Sequence, residues 1–177
     1  MSDLASLLAA LDRDALTRGT QFERICKWLL ASAPEYRLLL EEVWLWKDWP
    51  GRKGSRETGI DLVARAFDGR LWAIQAKAYH RDYYVTKQDL DSFLSASARQ
   101  QFSFRLLIST TDHIGANARD VLAVQEKPVH ALDRTRLESL DLDWPAHPDD
   151  LRPRPPLPQE PRPHQREAID AAVHGSP

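Results

Sequence analysis

Two apolar runs separated by an Asp-Gly pair are the feature that most constrains how this chain can fold. Residues 60–67 and 71–77 are each long enough for a strand, and Asp-Gly at 68–69 is a strong signal for a tight hairpin turn. A two-residue turn there pairs residues whose numbers add up to about 137. The sequence therefore predicts an antiparallel hairpin in which Asp61 lies opposite Ala76.

Helices and strands alternate around this hairpin, which predicts an α/β domain of three layers, a central mixed sheet flanked by helices. A second helix is expected to begin at Thr20, with Glu23 completing a capping box. Right-handed crossovers place strand 103–109 beside strand 71–77. The other predicted helices span residues 2–11, 86–99, 114–125 and 134–140, and the other predicted strands span 41–46 and 128–132.

Two charged side chains, Asp61 and Lys77, stand in strands that are otherwise apolar. A charge in a buried strand costs several kcal/mol unless it is paired or bound to an ion. Gln75 lies two residues before Lys77, so both side chains point to the same face of their strand. The hairpin is therefore expected to gather three polar side chains at one end.

Such a cluster suits phosphodiester hydrolysis with Mg²⁺. The Asp61 carboxylate, the Gln75 amide oxygen and the Ala76 carbonyl are hard oxygen ligands for that ion, and Glu23 would add a carboxylate if its helix packs beside the hairpin. Lys77 would orient the attacking water or stabilise charge on the phosphate. The structural alternative is that Asp61 accepts backbone hydrogen bonds at a strand end, with Lys77 as its salt-bridge partner.

The chain from residue 19 to about 140 resembles the Mrr-type branch of the PD-(D/E)xK nuclease superfamily. The resemblance implies the restriction-endonuclease-like fold, with Glu23 as the helix acid, Asp61 and Gln75 at the metal-site positions and Lys77 as the catalytic lysine. Gln75 stands where Glu is common in the superfamily, and a neutral ligand weakens metal binding, which leaves an inactive descendant as an alternative. The matching segments are 19–23, 59–63, 74–77 and 107–111.

DNA contacts must come from local patches, because a net charge of −2 and a pI near 6.3 give the chain no global attraction for nucleic acid. Arg52, Lys53 and Arg56 precede the Asp61 strand and are expected to contact DNA phosphates; a solvated surface loop is the alternative. The aromatic and basic residues of 79–84 follow Lys77 and can also line a DNA groove.

The composition changes near the carboxyl end, where most of the twelve prolines lie between residues 144 and 163. This predicts a nuclease domain at 1–142, an extended linker at 143–162 and a further piece at 163–177. The last piece resembles the entry to a superfamily 2 helicase core, in which Gln165 would read adenine. The chain has no phosphate-binding P-loop, so ATP is expected to serve only a downstream helicase.

These observations favour a Mg²⁺-dependent endonuclease domain of a bacterial restriction-modification or defence enzyme acting on double-stranded DNA. A type ISP arrangement would place a helicase and a methyltransferase downstream, and transient pairing of two nuclease domains is expected. The alternatives are a non-catalytic module that docks DNA or a partner for a helicase, and a structure-specific repair nuclease. The sequence shows no secretory signal peptide and no apolar segment long enough to cross a membrane, which predicts a cytoplasmic protein without membrane contact. The single cysteine, Cys26, excludes an internal disulfide.

Overall fold

A single mixed sheet organises the part of the chain that the structure, a computed structural model, describes: residues 2–54, 56 and 59–153. The strand order follows the chain, with β1, β2 and β3 antiparallel and β3, β4 and β5 parallel. The strand predicted to lie beside 71–77 does so. The strands are β1 Leu40–Leu45, β2 Leu62–Ala66, β3 Leu71–Lys77, β4 Phe102–Ser109 and β5 Val129–Leu132.

Helices cover both faces of the sheet, which confirms the predicted three-layer α/β fold. One face packs against α1, α2 and α6, and the other packs against α4 and α5. None of the described helices combines the length and the apolar character that a membrane span requires. The helices are α1 Leu4–Ala9, α2 Ala15–Ser32, α3 Pro34–Arg37, α4 Lys87–Ser97, α5 Ala116–Ala123 and α6 Arg134–Glu138.

Helix α2 begins earlier than the sequence predicts. Asp14 is its N-cap, and its carboxylate accepts a hydrogen bond from the Thr17 amide at 2.9 Å. Thr20 lies inside the helix, where its hydroxyl donates to the Leu16 carbonyl at 3.2 Å. The predicted cap at Thr20 is therefore wrong, because Asp14 already satisfies the first free amides and the helix runs on through Gly19 at a cost of about 1 kcal/mol.

The hairpin between β2 and β3 forms, but its register differs from the prediction by one residue. Leu62 lies opposite Ile74, and Ala66 donates to the Arg70 carbonyl at 2.9 Å, so the loop contains residues 67–69. Gly69 closes this three-residue loop with φ of +86°, the conformation of a type I turn followed by a bulge. The extra loop residue moves every pair by one position.

The folded domain extends past the predicted linker boundary at residue 143. Trp144 is buried and packs against Trp28, with ring centroids 5.8 Å apart, and the Trp28 indole donates to the Arg152 carbonyl at 2.9 Å. Proline-rich sequence excludes regular helix, yet an extended segment can still pack against a helix. The predicted helicase-like piece, 163–177, lies outside the described residues.

The buried Arg105 on β4 connects the sheet to the end of α4 through hydrogen bonds. Its side chain is 1% exposed, and its guanidinium donates to the Leu94 and Lys127 carbonyls at 3.0 and 2.8 Å and to the Ser97 hydroxyl at 2.7 Å. Burial lowers the pKa of Arg105. The negative end of the helix dipole compensates the charge in the way that a carboxylate would.

Replacing Arg105 with Met should lower the free energy of unfolding by about 3 kcal/mol, because buried carbonyl groups lose their donors. Urea denaturation followed by tryptophan fluorescence measures the change. The control is Arg99→Met, at an exposed position just after the same helix, which should change stability by about 0.5 kcal/mol or less. Equal stability of the two variants would show that the buried guanidinium contributes nothing.

Candidate active site

The predicted polar cluster lies at one edge of the sheet. This edge collects the carboxyl ends of the parallel strands β3 and β4, where Lys77 pairs with Ser109, and the amino end of β2, which Asp61 precedes. Binding sites of α/β sheets commonly lie outside the carboxyl ends of the strands. The topology therefore brings Asp61, Gln75 and Lys77 to one place, as the sequence predicts.

The backbone of Asp61 is fixed between β1 and β3. Its amide donates to the Ile74 carbonyl at 3.0 Å, and its carbonyl accepts from the Trp46 amide at 2.8 Å. Its carboxylate accepts the Ala76 amide hydrogen at 2.8 Å, so the side chain does reach Ala76 despite the shifted register. A carboxylate offers about four acceptor sites, so a group of this kind can contact a backbone amide and a cation together.

Gln75 places an unsatisfied oxygen in the cluster. The side chain is 3% exposed, and its Nε2 donates to the Gly59 carbonyl at 3.3 Å. Among the described residues Oε1 is buried and accepts no hydrogen bond. A buried amide oxygen left unpaired costs about 1–3 kcal/mol, and a hard cation is a partner that would offset this cost.

Gly59 sets the direction of the Gln75 amide, a role that sequence reasoning missed. Its φ is +89°, and a Cβ there would come within 2.7 Å of the Ser92 backbone in α4. Only glycine allows this approach without displacing the helix. The close approach of α4 therefore fixes the position of the Gly59 carbonyl. This carbonyl accepts the hydrogen bond from Nε2 of Gln75, so Oε1 points away from Gly59.

Glu23 is half-buried on α2, near the Cys26 thiol. Burial raises the pKa of the Cys26 thiol well above its ordinary value, and the nearby charges of Asp61 and Glu23 raise it further. Both carboxylates are therefore neighbours of the same buried thiol. Helix α2 packs on the face of the sheet that carries Ile74 and Ala76, and the role of Glu23 in the site stays a prediction.

Lys77 ends β3, two residues after Gln75 on the same face, and is half-buried. Among the described residues its ammonium forms no salt bridge, so the alternative in which it serves as an ion-pair partner of Asp61 finds no support. A half-buried cation without a partner is available to an anionic substrate.

The segment after β3 is held firmly beside the cluster. The hydroxyl groups of Tyr79 and Tyr83 donate to the Asp89 carboxylate at 2.8 and 3.0 Å, and Asp89 also completes the capping box of α4 with Thr86. Burial, the bond to Asp89 and the charge of Asp61 all raise the pKa of Tyr79. The segment that was expected to line a DNA groove is thus rigid.

The predicted DNA contacts of Arg52, Lys53 and Arg56 stay a prediction. Arg52 is half-buried, whereas Lys53 and Arg56 are exposed in the loop that leads to Gly59, and Lys53 adopts a left-handed conformation with φ of +48°.

The donor set of the cluster fits a hard divalent cation. The described residues contain no group of three His, Cys, Asp or Glu side chains suited to a metal. The Asp61 carboxylate lies beside the Ala76 backbone and next to the strand that carries the Gln75 amide oxygen, and Glu23 as a further ligand stays a prediction. Oxygen donors of mixed charge favour Mg²⁺ over softer metals. The unpaired Oε1 of Gln75 is the structural observation that supports such a site.

A restriction endonuclease family model, of the Mrr catalytic type, matches residues 31–150. The chain belongs to the restriction endonuclease family. The matched region contains Asp61, Gln75, Ala76 and Lys77, whereas Glu23 lies before it. The family resemblance inferred from the sequence motifs is thereby confirmed.

Solved structures of restriction enzymes are also similar to this chain. The ATP-dependent type ISP restriction-modification enzyme LlaBIII bound to DNA matches with a TM-score of 0.62 and 28% identity, over 90% of this chain and 10% of that one. The DNA modification-dependent restriction endonuclease AspBHI matches with a TM-score of 0.44 and 18% identity, over 77% and 36% of the two chains. No curated protein matches. The chain spans about a tenth of the length of LlaBIII.

Replacing Gly59 with Ala should lower the free energy of unfolding by about 3 kcal/mol, because the new Cβ collides with α4 and strains a left-handed backbone. Thermal and urea denaturation measure the loss. Gly69→Ala is a matched control, since Gly69 has a similar φ of +86° but nothing within 4 Å of an added Cβ; it should cost only about 1 kcal/mol. Equal losses at the two positions would remove the contact with α4 as the reason for glycine.

Proposed function

We propose that this chain is the nuclease domain of a restriction-modification or defence enzyme, and that it hydrolyses phosphodiester bonds of double-stranded DNA with Mg²⁺. The observation that carries the proposal is the group at the sheet edge: Asp61 held against Ala76 at 2.8 Å, Gln75 with an unpaired buried oxygen, and Lys77 without an ion pair among the described residues. Membership of the restriction endonuclease family supports the same reading.

Four oxygen donors of this chain would hold the cation: the carboxylates of Asp61 and Glu23, Oε1 of Gln75 and the carbonyl of Ala76. When bound, Mg²⁺ lowers the pKa of a coordinated water and neutralises charge on the phosphate. Asp61 contributes most of the attraction, because it is a charged ligand fixed at its backbone from both sides. Gln75 would present Oε1 to the cation in a fixed orientation, because its Nε2 is hydrogen-bonded to the Gly59 carbonyl.

Lys77 acts on the phosphate or on the water that attacks it. Its ammonium cannot bind a cation, and its position two residues beyond Gln75 places it on the same face of β3. From there it can donate hydrogen bonds to an oxygen that gains negative charge during the reaction. Such preorganised donors typically contribute about 10²–10³ in rate.

The type ISP enzyme LlaBIII, to which the chain is similar, is ATP-dependent and was solved bound to DNA. With the helicase-like sequence at 163–177, this supports our proposal that a helicase and a methyltransferase belong to the same polypeptide and that ATP serves the helicase alone. The net charge of −2 limits the affinity of this domain for DNA, so the motor would hold the substrate. Arg52, Lys53 and Arg56 add local phosphate contacts, and cutting both strands requires two nuclease domains to pair.

Replacing Asp61 with Ala in the full-length enzyme should reduce cleavage of plasmid DNA by about 10³-fold or more, because the main charge that holds the cation is lost. Cleavage is measured by gel electrophoresis with Mg²⁺ and ATP. Asp120→Ala, at an exposed position on α5, is the control and should cut like the wild type. Normal cutting by the Asp61 variant would place the active site elsewhere and favour a docking module.

Replacing Lys77 with Met should reduce cleavage by about 10²–10³-fold while leaving cation binding intact. Methionine preserves the apolar stem but removes the charge that acts on the phosphate. Calorimetric titration of Mg²⁺ into the 177-residue chain separates the two roles: the Lys77 variant should bind like the wild type, and Asp61→Ala should bind more weakly. A Lys77 variant that cuts at the normal rate would contradict a catalytic role.

A further inference from the structure

A cleft of about 360 Å³ opens beside the proposed active site, between α1, the start of α2 and the segment that follows β3. Three arginines line it, Arg18, Arg81 and Arg134, together with His80. The opposite wall is apolar and is formed mainly by Ala5, Leu8, Ala9 and Leu11. No carboxylate belongs to the described residues that line the cleft. Glu138 forms a salt bridge with Arg134 at 2.9 Å, so the attraction for an anion comes mainly from Arg18 and Arg81.

We propose that this cleft binds one nucleotide of the DNA strand that passes the active site, with the phosphate on the arginines and the sugar and base against α1. The inference rests on the proposed nuclease function and adds a second DNA contact, separate from the loop that carries Arg52, Lys53 and Arg56. The volume falls at the lower end of the range typical of small-ligand sites.

Arg134 is the most buried of the three arginines that would contact the phosphate, and its side chain is held in one orientation. It is 9% exposed, and its Nε donates to Glu138 at 2.9 Å. Within residues 2–54, 56 and 59–153 its two terminal nitrogens donate no hydrogen bond, so the outer edge of the guanidinium is left for a ligand. A buried planar donor held in one orientation loses little entropy when it binds a phosphate.

Arg81 is attached to a segment that cannot move freely. The Thr111 hydroxyl donates to the Arg81 carbonyl at 2.9 Å, and the Thr110 hydroxyl accepts from the Tyr79 amide and donates to the Tyr79 carbonyl, both at 2.7 Å. Arg81 therefore presents its side chain from a fixed backbone. Such preorganisation lowers the cost of binding.

The cleft is continuous with the catalytic cluster along the chain. Ala78 and Tyr79 line the cleft and directly follow Lys77, and four residues of extended chain span at most roughly 14 Å, which limits the separation of Arg81 from Lys77. A strand whose phosphate contacts Lys77 can thus place a neighbouring phosphate on Arg81.

The apolar wall determines what kind of contact the rest of the nucleotide makes. Leu4 and Leu7 bury the other side of α1 in the core, which leaves the small side chains of Ala5 and Ala9 exposed toward the cleft. This wall has no side-chain donors or acceptors that could read a base edge. The contact is therefore independent of DNA sequence, and the target sequence must be read elsewhere.

Nuclear magnetic resonance of the ¹⁵N-labelled 177-residue chain tests the cleft directly. A five-nucleotide single-stranded DNA is titrated at low salt with a chelator present, so that binding is observed without cleavage. Amide shifts are expected at Ala5, Ala9 and Arg81. Ala5→Glu, which adds a negative charge to the wall, should abolish these shifts, whereas Ala31→Glu, at an exposed site near the far end of α2, should leave them unchanged.

The arginines are tested by the salt dependence of the same titration. Arg18→Gln and Arg81→Gln should each weaken binding and reduce the slope of log Kd against log salt by about 1; Arg99→Gln, an exposed control after α4, should leave both unchanged. Absence of shifts at millimolar DNA, shifts confined to other surfaces, or binding by Ala5→Glu as in the wild type would overturn the inference. Because no metal is present, these results are independent of whether Asp61 and Lys77 prove catalytic in the full-length enzyme.

Discussion

The placement of β3 between an antiparallel and a parallel neighbour is the constraint on which the site depends. The hairpin brings the start of β2 to the carboxyl end of β3, and the crossover through α4 brings the carboxyl end of β4 to the same edge. This pairing puts Asp61 beside Ala76, on the strand whose residues Gln75 and Lys77 share one face. Helix α4 also affects the site, because Ser92 approaches Gly59 closely.

The sequence predicted the parts of this arrangement that depend on local pattern. Apolar runs and an Asp-Gly turn were enough to predict the hairpin, and charged residues within those runs were enough to predict Asp61 and Lys77 as a cluster with Gln75. The register was wrong because two- and three-residue loops can use the same Asp-Gly pair, and only the position of Gly69 in the bulge distinguishes them. A shift of one residue changes the pairing while the Asp61 carboxylate still reaches Ala76.

Features that depend on contacts distant in sequence were missed. In the sequence, Arg105 is a charged residue within a mostly apolar strand. Its role could not be predicted from this pattern, because its partners come from the end of α4 and from Lys127. The role of Gly59 depends on how closely Ser92 approaches, which no local pattern records. Trp144 was assigned to a linker by its proline-rich surroundings, although its ring packs on Trp28. In each case a tertiary contact overrode the local signal.

The neutral side chain of Gln75 has a consequence for when this edge of the sheet can be occupied. Beside an amide oxygen a divalent cation keeps more of its positive charge than it would beside a glutamate, so its attraction to the protein is weaker and its attraction to a phosphate is stronger. Cation and DNA then favour each other's binding by the same factor. If Gln75 is a ligand as proposed, the domain would bind Mg²⁺ less tightly without DNA than with it, because a DNA phosphate would add a negatively charged ligand.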